Sequence, residues 1–417
     1  MRAYREILSI PGALKFCAAG LLARSGGAMM GLGIVLMVSA LYGSYGLAGA
    51  LAAAQAVAWA SGTAILSSLV DKYGQRRVMY PATVISATML AVVVVLAVMQ
   101  VPAWVLFAPV VISGGTSGAP GALVRARWSH VTSEPHQLHA AFSLESTLDE
   151  VTFVIGPVVA TALSVGVHPA AGLVAPVILS LLGAQLFYSQ RSTEPPVPPR
   201  PADGSSPPRR RFILLTPGVA SVVAVNLLIG CVFGSIDVSV VAAATEWGVR
   251  SASGTVLAVF SFASGVAGFA YGARIWASPL PGRFVTGVVA MFLSAAGLLL
   301  AHSELVLAGV GLLVGATVAP TLINGNTLVE GMVPRARLTE GLSWMGTGLG
   351  IGVAVGSSVA GPLIDLRGYT AGFASVVGFA TTAAVIAVFS LASLRRIVSR
   401  QSDDDEAAEG EPEAVRD

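Results

Sequence analysis

The sequence predicts an all-α membrane protein, with twelve transmembrane helices arranged as two pseudo-symmetric six-helix bundles. Three observations lead there. The chain is too apolar to cover itself with polar surface. Its apolar runs fall into two groups of six on either side of a proline-rich break. The two groups resemble one another at an offset of roughly 200 residues.

Of the 417 residues, 54% are hydrophobic and only 11% charged, against about 25% charged in an ordinary soluble domain. Bilayer is therefore the expected solvent. The net charge of +2 carries little information, because distribution matters more than sum. Cys17 and Cys231 lie in apolar stretches without metal-ligand spacing and read as small packing residues. The N-terminal MRAYREILSIPG lacks a small-x-small cleavage site, so the first helix is expected to be retained. Arginine far outnumbers lysine, which occurs only as Lys15 and Lys72, and Ala, Gly and Val abound; this bias points to a GC-rich bacterial genome.

About 20 apolar residues cross the hydrocarbon. Candidate spans lie near 13–41, 46–70, 78–99, 103–124, 141–166 and 171–189. The first bundle is thus residues 1–189. Residues 190–212, QRSTEPPVPPRPADGSSPPRRRF, hold seven prolines and a basic cluster, as expected of an extended, unpacked linker. Six more spans follow near 213–243, 251–273, 284–301, 304–328, 339–363 and 370–393, giving a second bundle over 213–395. The acidic tail, 396–417, is expected to be disordered and cytoplasmic.

Orientation follows from the positive-inside rule. With a cytoplasmic N-terminus, 21 of the 24 basic residues fall in inner segments. Arg250 and Arg367 fall outside, and Arg24 lies within a span. Both termini are then cytoplasmic in a bacterial plasma (inner) membrane, and an odd error in the span count would have scrambled this asymmetry.

The repeat is visible in the loops. SSLVDKYGQRR (67–77) follows span two, and GFAYGARIWASPLPGR (268–283) follows span eight. RARWSHVTSEPHQLHAAFSLE (125–145) resembles VPRARLTEGLSW (333–344), making Glu145 and Glu340 counterparts. Parallel duplication of a six-helix unit is one construction of secondary transporters.

From about 10 to 395 the chain resembles the major facilitator superfamily. The sharpest element is S-x-L-V-D-K-Y-G-Q-R-R, similar to that family's loop 2–3 signature G-x-L-a-D-R-x-G-R-R/K, with Ser67 for the leading Gly and Gln75 for the first Arg after Gly74. The resemblance implies that Asp71 latches the cytoplasmic ends of the two halves near the start of span eleven. Gly74, Arg76 and Arg77 belong to that turn, and Arg125 and Glu340, in the related loops, complete the latch. The alternative is that Asp71 only caps span two. T-F-V-I-G-P-V-V-A-T from Thr152 resembles the G-x-x-x-G-P-x-x-G-G run of exporting antiporters, keeping only Gly156 and Pro157, which permit a bend or a close approach.

An ionisable residue within a span needs a partner or water, since its insertion costs about 2.5–3.5 kcal/mol at mid-span. Arg24 lies about 18 Å along span one and Asp149 roughly 13 Å along span five, at 1.5 Å per residue. Both spans start at the same membrane face, so their depths agree. Glu145 and Asp149 are four apart and share a helix face, while Glu150 points about 140° away. The expectation is that Arg24 meets Asp149 or Glu145 beside a central cavity. One acid would neutralise Arg24, and a second, left close by in low dielectric, would be placed to carry a proton. The alternatives are a fixed ion pair fastening span one to span five, or acids at the inner interface.

Gln55, Asn226, Asp237, Asn324 and Asn326 are the other polar residues within spans and are candidates to line a substrate cavity. Amides equally join neighbouring helices, whereas Asp237 carries charge and is a candidate substrate contact or second proton site. Gly348, Gly352 and Gly356, and likewise Gly114 and Gly118, form small-residue stripes that allow close packing.

The five His fall in or near loops. No zinc-protease, phosphate-loop or nucleophile-elbow motif occurs. An enzyme is not expected, nor is a cofactor, metal or nucleic-acid partner. The sequence reading is a monomeric secondary transporter in the lipid bilayer, moving a small organic molecule by rocking of its two halves, with proton-coupled efflux favoured. The alternative is import of a sugar or other metabolite, or less readily a sensor that does not transport.

Overall fold

The computed structural model describes residues 2–197, 218–272, 274, 276–333 and 338–409, and among these every regular element is helical. A short α1 (Arg2–Leu8) precedes α2 (Ala13–Tyr42), α3 (Tyr45–Tyr73) and α4 (Gln75–Val98). The fourth span opens with a 3-10 turn, Ala103–Leu106, and continues as α5 (Phe107–Ser117) and α6 (Pro120–Val131). The first half closes with α7 (Pro135–Gly166) and α8 (Ala171–Ser189). The second half contains α9 (Val219–Glu246), α10 (Ala252–Gly272), α11 (Leu280–Ala296) with a trailing 3-10 turn, α12 (Glu304–Met332), α13 (Leu338–Arg367) and α14 (Tyr369–Glu409). Twelve helical segments among the described residues are long and apolar enough to cross a membrane. The end of the bundle that carries α1 and the α3–α4 turn is called basal below, and the opposite end distal.

The boundaries differ from the expected ones in three places, each for a local reason. The fourth span, expected as a continuous helix over 103–124, breaks after Ser117 and runs on to Val131, because Pro120 cannot continue a helix but suits the first position of a new one. The segment 190–212 does not begin unpacked: Arg127 donates through Nη1 to the Gln190 carbonyl (3.1 Å) and Thr193 Oγ1 (3.0 Å), which buries Thr193. Residues 198–217 lie outside the described chain. Finally, α14 continues to Glu409, into the expected tail, where Glu406, Ala407, Ala408 and Glu409 are strong helix formers.

Small residues set the closest helix packing. The α9 and α13 backbones approach through Gly230 and Gly234 on one side and Gly352 and Gly356 on the other. A Cβ on Gly352 would meet the Leu227 carbonyl and come within 2.9 Å of the Cys231 amide. Overpacking of this kind costs about 1–3 kcal/mol or more when backbone must move. Gly352→Val is therefore expected to lower the melting temperature of the purified protein, or to prevent its accumulation; an unchanged melting curve would show that the contact is not tight in solution.

The halves meet along two antiparallel helix pairs, α3 with α13 and α7 with α10. On the distal side α3 and α13 are in contact: Gly49 lies against the Ser357 carbonyl, and Ala53 and Ala56 cluster with Ala354. A Cβ on Gly350 would lie 3.6 Å from the Trp59 ring. Basal of that point Ala64 and Ser67, on the face of α3 that carries Gly49, Ala53 and Ala56, are exposed, and Gly346 of α13 has open space beside it. The molecule is thus closed between these helices at its distal end and open at its basal end.

Candidate functional site

The buried charges gather in the first half. Glu145 and Asp149, one turn apart on α7, face Arg24 on α2. Arg24 bonds Glu145 Oε2 through Nη2 and Asp149 Oδ1 through Nη1, the latter at 2.9 Å. Glu145 Oε1 also accepts from Trp128 Nε1 (2.7 Å) and from the Cys17 thiol (3.3 Å). Removing ions from water costs several kcal/mol each, and only complete pairing offsets it. Glu145, fully buried, has that pairing from three donors, whereas Arg24 Nε remains without a partner.

Arg125, on α6, is the member that the sequence had placed elsewhere. Its Nη2 bonds Asp149 Oδ2 at 2.7 Å. Among the described residues the cluster therefore holds two guanidiniums and two carboxylates, and each of these acids has a cation. The contact joins Arg125, expected at the latch, to the cluster, and gives Asp149 a second cation beside Arg24. Asp149, 29% exposed, bridges both guanidiniums, and Arg125 is 33% exposed. Gly27 and Gly31, which follow Arg24 along α2, have open space beside them. The side chain of Glu150 lies outside the described residues.

Next to the cluster the fourth span is interrupted. Gly118 has φ 64° and ψ −159°, a conformation essentially confined to glycine, and its carbonyl accepts from Trp59 Nε1 at 2.8 Å. The first turn of α6 then passes close to both cations: a Cβ on Gly121 would lie 3.3 Å from Arg125 Nη1 and 3.8 Å from Arg24 Nη1. Backbone of this irregular kind is tolerated at membrane depth where protein or a cavity surrounds it. The signal was present in the sequence as Gly118-Ala119-Pro120. Gly118→Ala is expected to cost about 1–3 kcal/mol through backbone strain alone, visible as a lower melting temperature; an equal melting temperature would refute the strained conformation.

The remaining polar residues are mostly engaged in joining helices. Asn226 donates to the Met345 carbonyl (2.6 Å), and Asn324 accepts from Tyr271 Oη (2.8 Å); both are buried. Asn326 is exposed on α12, and half-buried Gln55 donates to Met30 Sδ at 2.9 Å. Asp237, half-buried on α9, forms no hydrogen bond or ion pair among the described residues. Gly156 permits the approach of α2, since a Cβ there would lie 3.2 Å from Ala28 Cβ, and the Pro157 carbonyl faces Gly254 of α10 across the junction of the halves.

Of the expected latch, Gly74, Arg76 and Arg77 form the basal α3–α4 turn, with the Arg76 amide donating to Glu194 Oε1 at 2.9 Å. The side chains of Asp71 and Glu340 lie outside the described residues. A latch that the sequence reading missed closes the distal end. Asp365, near the end of α13, accepts from Ser44 Oγ (2.8 Å) and from the amides of Tyr45 (2.8 Å) and Gly46 (2.6 Å), the first turn of α3. Arg250, between α9 and α10, donates to the Leu36 carbonyl and Ser39 Oγ of α2, both at 2.8 Å. Burial lowers the Arg250 pKa from its usual value, while nearby Tyr45 acts the other way. The sequence did carry a signal for Asp365: L-V-D-K-Y-G at 69–74 recurs as L-I-D-L-R-G at 363–368, each ending on a glycine with positive φ.

The sequence profile described as Major Facilitator Superfamily matches residues 16–280. A search of curated proteins finds no match. Solved structures share the fold. The POT family transporter PepTSo superposes with a TM-score of 0.70 at 12% identity, over 93% of this chain and 99% of its own. The nucleoside transporter NupG gives 0.68 at 14% identity, over 92% and 98%. A bacterial homolog of the human lysosomal transporter Spinster, inward-facing and unoccupied, gives 0.66 at 14% identity, over 93% and 97%.

Proposed function

Because the chain belongs to the major facilitator superfamily of secondary transporters, we propose that it exports a small organic molecule from a bacterial cell across the plasma membrane, driven by inward proton flow. The observation that carries this reading is Asp149, a partly exposed carboxylate on which Arg24 and Arg125 converge: when either guanidinium turns away, the acid loses a charge that holds it ionised and can take a proton. A proton on Asp149 removes the charge that two guanidiniums share. Bond strengths in the cluster then change, and with them the packing of α2, α6 and α7. With the basal end cytoplasmic, as the basic residues argue, the open end faces the cell interior, where an exported compound is collected. Asp237, on α9 and without a partner among the described residues, supplies a carboxylate for a cationic group of the substrate or for a second proton.

Import of a sugar or metabolite is the competing reading. It is disfavoured because Asn226 and Asn324, amides that a polyol would use, are buried and bonded to neighbouring helices. The two readings separate on intracellular accumulation of a compound panel, measured with and without the protein and with and without a protonophore. An exporter lowers accumulation only while the proton gradient stands; raised accumulation on expression would overturn export.

A further inference from the structure

At the basal end, where α3 turns into α4 and α8 runs out into residues 190–197, lies a cleft of about 700 Å³ bordered by Arg76, Arg77 and Arg191, with Tyr73 and Tyr80 also lining it. Arg76 and Arg77, neighbours at the start of α4, and Arg191, just past α8, all line it, and none of them takes part in an ion pair among the described residues. Among the described residues the one acid lining the cleft, Glu194, already accepts the Arg76 amide. Glu194 thereby caps the start of α4 in place of the side chain that Gly74 lacks, which leaves the three guanidiniums as the charges open to a ligand. Like charges lining one cleft repel less when an anion lies among them, and the guanidinium fork matches phosphate oxygens in pairs.

What distinguishes a lipid from a free phosphate is the surface that leads out of the cleft. On α4, Tyr80, Pro81 and Ile85 form one exposed stripe that reaches as far as Thr88, and on the adjacent α8, Leu182 and Leu186 are exposed. Tyr80 Oη donates to Gln185 Oε1 at 2.8 Å and ties the two helices together. From Arg77 to Thr88 the stripe runs about 16 Å along the helix, a length suited to an acyl chain and of no use to a soluble anion. Tyrosines at such a level fit the membrane–water interface, and basic pockets between spans suit anionic headgroups.

We propose that this cleft is a binding site for an anionic phospholipid, with the headgroup phosphate on Arg76, Arg77 and Arg191 and one acyl chain along the α4–α8 groove. The site depends on the membrane-spanning fold and not on what is transported. The test uses the full-length protein, stripped of lipid in detergent and reloaded with phosphatidylglycerol, phosphatidylcholine or glycerol phosphate, with bound lipid counted by native mass spectrometry. The wild type is expected to retain one phosphatidylglycerol. Arg77→Gln and Arg191→Gln should each lower that retention roughly fivefold, Arg77→Lys should keep most of it, and Lys15→Gln, at the same end of the molecule, should change nothing. Melting curves on each variant separate lost binding from lost fold. Unchanged retention in both glutamine variants would overturn the site, and an equal loss in Lys15→Gln would reduce it to unspecific surface charge. Displacement of the lipid by glycerol phosphate at equal concentration would overturn the lipid assignment in favour of a soluble phosphate.

Discussion

Asp149→Asn is expected to uncouple transport from a pH gradient while leaving the protein folded. Asparagine keeps an oxygen for Arg24 and Arg125 but holds no charge and accepts no proton. In proteoliposomes carrying an imposed pH gradient, gradient-driven movement should fall at least about tenfold, which corresponds to roughly 1.4 kcal/mol of lost coupling. Exchange of substrate at equal concentrations on both sides, which needs no net proton movement, should persist. Glu145→Ala should behave differently: it leaves Arg24 buried without its fully enclosed partner, a change of about 3–5 kcal/mol in stability, and the protein should accumulate poorly. Full gradient response in the Asp149→Asn variant would remove Asp149 from proton coupling and leave the cluster as a fixed fastening of α2, α6 and α7.

Asp365→Ala should shift the molecule toward a state open at the distal end. Three hydrogen bonds to the first turn of α3 are lost at once. Loss of a capping side chain costs about 0.5–2 kcal/mol, so the ratio of distal-open to distal-closed molecules should rise on the order of two- to thirtyfold. Spin labels on Val167→Cys and Leu305→Cys, exposed positions in opposite halves, report that ratio as a longer inter-label distance. An unchanged distance distribution would mean that Asp365 decorates the closed state without holding it; Arg250, with its two bonds to α2, would then be the next candidate.

The architecture was legible because hydropathy is a property of single segments. Arg24, Glu145 and Asp149 could be brought together in advance because a charge inside an apolar span has to find a partner at its own depth. Arg125 was missed for the converse reason: counted among basic residues at the membrane edge, it gave no sign that α6 continues past 124 and turns its guanidinium toward Asp149. The distal contacts of Asp365 and Arg250 were invisible to local reasoning, since each partner lies in the other half of the chain and loop charges ordinarily face water. The repeated L-x-D-x-x-G pattern would have exposed Asp365, had the ends of antiparallel neighbours been compared as well as the corresponding spans of the two bundles. Amides, by contrast, have no unique destination. Asn226 and Asn324 are as well served by a backbone carbonyl or a tyrosine hydroxyl as by a ligand, so nothing in the sequence decides between those fates.

The interruption at Gly118 has a mechanical consequence. Arg125, Arg127 and Trp128 all ride on α6, which the broken helical ladder separates from α5, while Arg127 and Trp128 tie it to Gln75, Thr193 and Glu145. Any change of bonding at Asp149 thus reaches a lever of only 12 residues before it reaches the bundle. A signal from Asp149 is therefore passed on by side-chain bonds to α4, α7 and the segment after α8 instead of along one unbroken helix.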